Sequence, residues 1–138
     1  MSATLDRFLT AQAPVYDQVL AELAAGDKRT HWMWFVFPQL RGLGRSAVAQ
    51  HYGLAGLAEA RDYWHHPVLG PRLKECTACV LGVAGRTAAQ IFHAPDDLKF
   101  CSCLTLFEAA APDEPVFKRG LERYYGGTRD SRTLAFLV

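Results

Sequence analysis

The sequence predicts an all-α fold, a single compact domain over residues 1–138 with about seven helices. Three observations support this prediction. Apolar residues recur at helical spacing through most of the chain, no segment alternates apolar and polar residues between turn signals, and capping residues, glycines and prolines separate the periodic segments. With 138 residues, 50% of them hydrophobic, the chain is long enough to bury a core without disulfides or metal.

The first half of the chain begins with a long helical pattern. Apolar residues at helical spacing extend over residues 2–25, and Pro14, in the middle of the stretch, divides it into two helices or kinks it. Thr30 is placed to cap a short helix through the aromatic residues that follow, and Pro38 ends that helix. After a glycine-rich loop, Ser46 is placed to cap the next helix.

The second half of the chain contains further predicted helices, over residues 57–64, 71–83, 98–110 and 115–124. The first of these ends before Pro67, because the residue that precedes a proline disfavours the helical conformation. Thr87 and Gln90 have the spacing of a capping box, and Asp96 or Asp97 is placed to cap the helix over residues 98–110. A short segment follows the last helix.

Composition and charge exclude several classes of function. The formal net charge is +1, so no overall field attracts nucleic acid or an anionic membrane, and we expect neither partner. No apolar stretch approaches the ~20 residues that span a bilayer, and the segment Met1–Asp6 lacks the pattern of a signal peptide. We therefore expect a cytoplasmic protein. Acidic residues interrupt the basic C-terminal part, which favours a solvated mixed-charge face around Arg119, Arg123, Arg129 and Arg132.

The segment 28–39 is the most informative part of the sequence. Four large aromatic residues lie within six positions, behind two cations and a histidine. Such a segment is buried on most sides or lines a pocket, because a surface helix needs only one apolar stripe. Cations beside exposed aromatic faces suit a nucleotide, whose base stacks while its phosphates meet lysine and arginine. The structural alternative, in which the aromatic residues are core and the cations are solvated, is the commoner role of such segments.

Two adjacent histidines, His65 and His66, form a second candidate. Histidine titrates near neutrality, so either could act as a general acid or base, or bind a metal. Adjacent residues of a helix point in different directions, however, and no zinc-protease spacing or carboxylate partner accompanies the pair. Helix capping and turn hydrogen bonds are the commoner explanation.

The four cysteines superficially resemble a zinc site. They occur as two closely spaced pairs, Cys76 with Cys79 and Cys101 with Cys103. Zinc ribbons and knuckles place such pairs in tight turns, whereas both pairs here fall within apolar helical patterns. We therefore predict reduced, buried thiols, with no metal and no cofactor.

Lys99 and Ser102 form a third candidate, within the helical pattern that follows Asp96 and Asp97. They are separated by three positions and share one side of the helix in otherwise apolar surroundings. On the functional interpretation they line a pocket that the aromatic segment covers. On the structural interpretation Asp97 caps the helix and Lys99 pairs with a carboxylate.

Four motifs together resemble those of the domain-of-unknown-function family 1810: residues 28–39, 42–46, 66–73 and 97–107. The resemblance extends from Leu5 to Leu137 and implies a small, mostly bacterial, cytoplasmic protein with one all-helical domain, but no established reaction. Members are sometimes labelled calpastatin, a disordered inhibitor, which does not fit the aromatic content of this chain. The family often has serine where this chain has Cys101, which argues against an essential hydroxyl there, whereas Ser102 follows the family pattern.

These observations favour a protein that binds a small anionic or nucleotide-like metabolite in an aromatic-lined pocket, with catalysis left open. The cations would contact the negative charge and the tryptophans would stack on the ligand. The predicted binding residues are Lys28, Arg29, Trp32, Trp34, Gln39, Lys99 and Ser102, and the acid–base candidates are His31 and His66. The alternative is an interaction module without catalytic activity, which presents an aromatic groove to a protein partner. A third interpretation is purely structural.

Overall fold

Ten α-helices make up the described part of the structure, a computed structural model that describes residues 5–137. They are α1 Asp6–Gln12, α2 Tyr16–Ala24, α3 Met33–Val36, α4 Ala47–Tyr52, α5 Leu57–His65, α6 Leu69–Leu81, α7 Ala88–Phe92, α8 Asp96–Ala110, α9 Pro115–Tyr125 and α10 Ser131–Leu137. A 3-10 turn spans Arg41–Leu43, and Leu40 and Leu54 form an isolated β-bridge. The first positions of the predicted N-terminal helix, 2–4, lie outside the described residues.

The all-α class is confirmed, but the predicted count of about seven helices is wrong. The difference comes from short helices: α7 has five residues and α10 has seven. Segments of this length contain too few apolar positions to establish a helical period, so apolar spacing does not reveal them, and only the capping box signals α7.

Several predicted helix boundaries are confirmed. The chain breaks between α1 and α2, and Pro14 lies in that break. Ser46 caps α4 by accepting a hydrogen bond from the backbone N–H of Ala49 (3.1 Å). Thr87 and Gln90 form the predicted capping box of α7.

Other predicted boundaries are wrong. Thr30 does not cap α3, which begins three residues later without a side-chain cap. Neither Asp96 nor Asp97 caps α8, because both already lie in its first turn, after Pro95. Helix α6 begins at Leu69, two residues before the predicted start.

Helix α8 is the centre of the fold. It packs against α5, α7, α9 and α10, and every residue from Phe100 to Phe107 is buried. This explains why the segment shows no single apolar stripe: a helix that is surrounded by other helices buries all of its faces. No helix among residues 5–137 is both long and apolar enough to cross a membrane.

Candidate functional site

A cleft of about 410 Å³ lies where α3, the loop before α4, the first turns of α8 and the start of α10 meet. We call it the aromatic cleft. Its polar lining consists of Gln39, Arg45, Ser46, Lys99, Ser102, Asp130 and Arg132. Its principal apolar lining consists of Trp34, Leu43, Pro95 and Leu98. Three stretches of sequence, 34–49, 95–102 and 130–132, therefore contribute side chains to one concave surface.

Trp34 and Lys99 meet inside the aromatic cleft. The Lys99 ammonium lies 5.1 Å from the centre of the Trp34 ring, within the range of a cation–π interaction. The same ammonium lies 3.3 Å from Oδ1 of Asp96, one turn earlier on α8. Both side chains are half-buried, so they are held in place and still accessible from the cleft.

The loop that precedes α4 forms one wall of the cleft. A Cβ at Gly44 would lie 2.4 Å from the Cβ of Ala49, and a Cβ at Gly42 would lie 2.6 Å from the ring of Phe136. Both distances are shorter than any normal contact, so these glycines allow α4 and α10 to pack directly on the loop. The Gly42–Arg45 loop is therefore a packed wall.

The start of α10 forms the facing wall. The Arg132 guanidinium donates a hydrogen bond to the carbonyl oxygen of Leu43 (2.9 Å), across 89 positions of the chain. Arg129 pairs with both carboxylate oxygens of Glu108, at 2.6 Å each, and these hydrogen bonds raise the pKa of Arg129. Asp130 donates its backbone N–H to Thr105 Oγ1 (3.0 Å).

Two hydroxyl groups add hydrogen-bonding capacity to the lining. Ser102 Oγ donates to the carbonyl oxygen of Leu98 (3.2 Å), so its lone pairs can accept from a ligand hydroxyl. Ser46 Oγ accepts from the backbone N–H of Ala49, which leaves its hydrogen for a ligand oxygen. Together the two residues offer one acceptor and one donor.

Four of the predicted binding residues line this cleft: Trp34, Gln39, Lys99 and Ser102. They come from two of the motifs that the sequence singled out, the aromatic segment and the first turns of α8. The structure therefore brings those two motifs together in space. The other predicted residues lie elsewhere.

Trp32 and Lys28 lie in the core behind the cleft. Trp32 is 1% exposed, and its Nε1–H donates to Oε1 of Glu22 (2.9 Å). The Lys28 ammonium lies 5.1 Å from the centre of the Trp32 ring and 2.9 Å from Oδ2 of Asp96. Trp32 binds a buried carboxylate and Lys28 is only 8% exposed, so we assign both a structural role.

Glu22 organises the segment that leads into α3. Its carboxylate accepts hydrogen bonds from the backbone N–H groups of Arg29 (2.7 Å) and Thr30 (3.0 Å), from the Thr30 hydroxyl (2.6 Å) and from Trp32. Burial opposes its ionisation, but these hydrogen bonds prevail and lower the pKa of Glu22 to about 2. Thr30, predicted to cap α3, instead binds this buried carboxylate.

Arg29, His31 and His66 do not line the cleft. The Arg29 side chain is 76% exposed and pairs with Asp27 (3.1 Å), and His31 is exposed as well. His66 Nδ1 accepts hydrogen bonds from the backbone N–H groups of Val68 (3.1 Å) and Leu69 (3.2 Å). It thus makes the turn hydrogen bonds that the structural interpretation of the histidine pair expected.

The four cysteines are free thiols, on α6 and α8. Burial raises the pKa of the Cys76 thiol to about 12 and holds that of Cys103 well above its ordinary value, so both are protonated at neutral pH. Within residues 5–137, no group of three or more His, Cys, Asp or Glu side chains is arranged to hold a metal ion.

Sequence reasoning missed three charged residues of the cleft. Arg45 stands in the glycine-rich loop, and Asp130 and Arg132 lie near the C-terminus, in the part predicted to be a solvated mixed-charge face. For Arg45 the sequence offers one weak signal: it follows two glycines of a loop on which α4 and α10 pack. Nothing local distinguishes Arg132, because its place depends on how α10 docks against the loop.

Comparison with known proteins gives a family and a solved structure. The model of the family described as "Protein of unknown function (DUF1810)" matches residues 2–137. The chain is also similar to the conserved hypothetical protein Rv1873 from Mycobacterium tuberculosis, known from a crystal structure, with 56% sequence identity and a TM-score of 0.95. That match covers 96% of this chain and 95% of the other. A search of curated proteins found no match.

Proposed function

The chain belongs to the family of proteins of unknown function DUF1810, and we propose that it binds a small anionic, nucleotide-like metabolite in the aromatic cleft. The observation that carries the proposal is the convergence of one tryptophan and three cationic side chains on a single concave site. A volume of about 410 Å³ lies within the range of small-molecule sites in proteins.

Each lining residue has a role that follows from its chemistry. Trp34 offers an aromatic surface for a planar group, and Lys99, Arg45 and Arg132 offer positive charge for an anion. Gln39, Ser46 and Ser102 provide hydrogen bonds that orient the ligand. Neither His31 nor His66 lines the cleft, so the proposal concerns binding and assigns no reaction.

A thermal-shift screen of the full chain against nucleoside monophosphates, dinucleotides and sugar phosphates tests the proposal. A ligand at a hundred times its dissociation constant stabilises the folded state by about 2.7 kcal/mol, which is readily visible. We expect Trp34→Leu and Lys99→Gln to abolish the shift, since they remove the aromatic surface and a cation of the cleft. The absence of any shift across the panel would contradict the proposal.

Arg29→Gln is the matched control for Lys99→Gln. Each variant removes one positive charge from a predicted binding residue, but Arg29 is exposed and lies outside the cleft. We expect Arg29→Gln to keep the full ligand-induced shift. An equal loss in both variants would indicate attraction by net charge alone.

Two exposed apolar side chains favour the interaction module as a second candidate function. Leu98, which lines the cleft, is 65% exposed, and Phe136, which lies against Gly42 in the cleft wall, is 59% exposed. Exposed apolar side chains mark a protein-binding surface where they form a contiguous patch. In that case the metabolite panel gives no shift, and Leu98→Ser weakens binding to a purified partner without lowering stability.

A further inference from the structure

More positively charged than negatively charged side chains line the aromatic cleft. Arg45, Lys99 and Arg132 contribute positive charge from the loop, from α8 and from α10, and Asp130 is the one lining carboxylate within the described residues. Asp130 Oδ2 accepts hydrogen bonds from the backbone N–H (2.9 Å) and the hydroxyl (2.5 Å) of Thr133. This oxygen therefore serves α10, and the negative charge of Asp130 remains in the cleft.

A second carboxylate lies behind the cleft and is shared between two lysines. Asp96 pairs with Lys28 through Oδ2 (2.9 Å) and with Lys99 through Oδ1 (3.3 Å). When Lys28 and Asp96 are counted with the lining residues, four cationic side chains face two carboxylates. Two positive charges are therefore left for a ligand to compensate.

From this excess we propose that the ligand of the aromatic cleft carries a phosphate monoester, bound as its dianion. The inference rests on the proposed function, because it concerns the ligand of the same cleft. A phosphate monoester carries close to two negative charges at neutral pH, whereas a carboxylate, a sulfonate or a phosphate diester carries one. Guanidinium groups also match the geometry of phosphate oxygens.

The lining residues also determine what a pH titration reports. Within the described residues, the cleft is lined by two arginines, a lysine and an aspartate, and by no histidine or cysteine. Histidine is the side chain that ordinarily changes charge between about pH 5 and 8. A change of affinity in this range therefore follows the second ionisation of the phosphate monoester, near pH 6.

Phenyl phosphate and its monomethyl ester make a matched pair of probes. Both contain a planar ring for Trp34, but only phenyl phosphate can become a dianion. We would titrate the ¹⁵N-labelled full chain with each probe at about pH 7.5 and about pH 5, and follow the Trp34 indole and the Lys99 amide. We expect phenyl phosphate to bind about tenfold more weakly at the lower pH, where about a tenth of it is dianionic.

The methyl ester, a monoanion at both pH values, should bind weakly and with the same affinity at each. Lys99→Gln should weaken phenyl phosphate binding, whereas Arg29→Gln should not. If the methyl ester binds at the cleft as tightly as phenyl phosphate, or if the affinity of phenyl phosphate does not change with pH, the dianion inference fails and the proposed function stands. If neither probe shifts cleft resonances at millimolar concentration, both fail.

Discussion

Two lysine–tryptophan pairs lie on either side of Asp96, and they differ mainly in burial. The Lys28 ammonium lies 5.1 Å from the ring of Trp32, and the Lys99 ammonium lies 5.1 Å from the ring of Trp34. One carboxylate oxygen of Asp96 pairs with each lysine, at 2.9 Å and 3.3 Å. We call them the buried pair, Lys28–Trp32, and the cleft pair, Lys99–Trp34.

The difference follows from the backbone between the two tryptophans. Trp32 immediately precedes α3 and Trp34 lies in its first turn, and their side chains face different surroundings. Trp32 faces Glu22 and the core, and Trp34 faces the cleft. The same residue types at the same distance are therefore buried in the fold on one side and line the cleft on the other.

Truncation of the two tryptophans should give the largest contrast. Trp32→Ala removes a side chain that is 1% exposed, and we expect it to lower the free energy of unfolding by about 3–5 kcal/mol. Trp34→Ala removes a half-buried side chain and should cost about 1 kcal/mol. Urea denaturation of both variants measures the two values. Equal losses would show that the cleft pair is also part of the core.

Stability should depend on pH through Glu22, whose carboxylate accepts a hydrogen bond from Trp32 of the buried pair. Its pKa lies near 2 in the folded protein, below its ordinary value of 4.5, so its contribution is complete above about pH 4.5 and is lost as the pH falls towards 2. We expect Glu22→Gln to lower stability by about 1–3 kcal/mol at neutral pH, because it weakens the hydrogen bonds that the charged carboxylate accepts from Gln18 and from the segment before α3.

Thermal unfolding of the wild type and Glu22→Gln between about pH 7 and 2 measures this dependence. The gap in stability between the two proteins should narrow through the acid range. Asp62→Asn, at an exposed position of α5, is the control. Its stability should differ little from that of the wild type at every pH. If the difference in stability between the wild type and Glu22→Gln stays constant down to pH 2, the lowered pKa of Glu22 does not contribute to stability.

Removal of each lysine should separate stability from binding. Lys28→Met leaves a partly buried carboxylate with one partner, and we expect a loss of about 2 kcal/mol. Lys99→Met affects a more exposed ion pair, with its side chain 25% exposed, and should cost less than about 1 kcal/mol. Chemical denaturation gives both losses of stability. Ligand titration should show the larger loss of affinity for Lys99→Met, because only Lys99 lines the cleft. A larger stability loss for Lys99→Met would reverse our assignment of the two pairs.

The sequence was sufficient where local chemistry decides the structure. Pro14, Ser46 and the Thr87–Gln90 capping box could be interpreted without knowledge of the tertiary fold, because proline geometry and capping act over a few residues. The helical class followed from the apolar spacing. Helix α10 and the exact starts of α6 and α8 could not be obtained this way, because tertiary packing stabilises them.

The candidate site was predictable only in part for the same reason. The aromatic segment and the Lys99–Ser102 motif stood out by composition, but composition cannot say which tryptophan faces the core. That choice depends on Glu22, which lies ten residues before Trp32 and satisfies its indole nitrogen. Arg132 reaches the site only through the docking of α10 on the glycine-rich loop.

The smallest effect on stability should come from two exposed arginines, of which only one lines the cleft. Arg29 and Arg45 are both exposed, so we expect Arg29→Gln and Arg45→Gln to change the free energy of unfolding by less than about 0.5 kcal/mol each. Their effects on binding should differ. Arg45→Gln removes a charge-assisted contact and should weaken the ligand about tenfold or more, whereas Arg29→Gln should leave affinity unchanged.

Isothermal titration of both variants with a ligand from the thermal-shift screen measures this difference. Because the two substitutions are chemically identical and neither side chain supports the core, a difference in affinity can arise only from where each arginine lies relative to the cleft. Equal affinities would place the ligand outside the aromatic cleft. The cleft pair would then be a surface counterpart of the buried pair, with a role in stability alone.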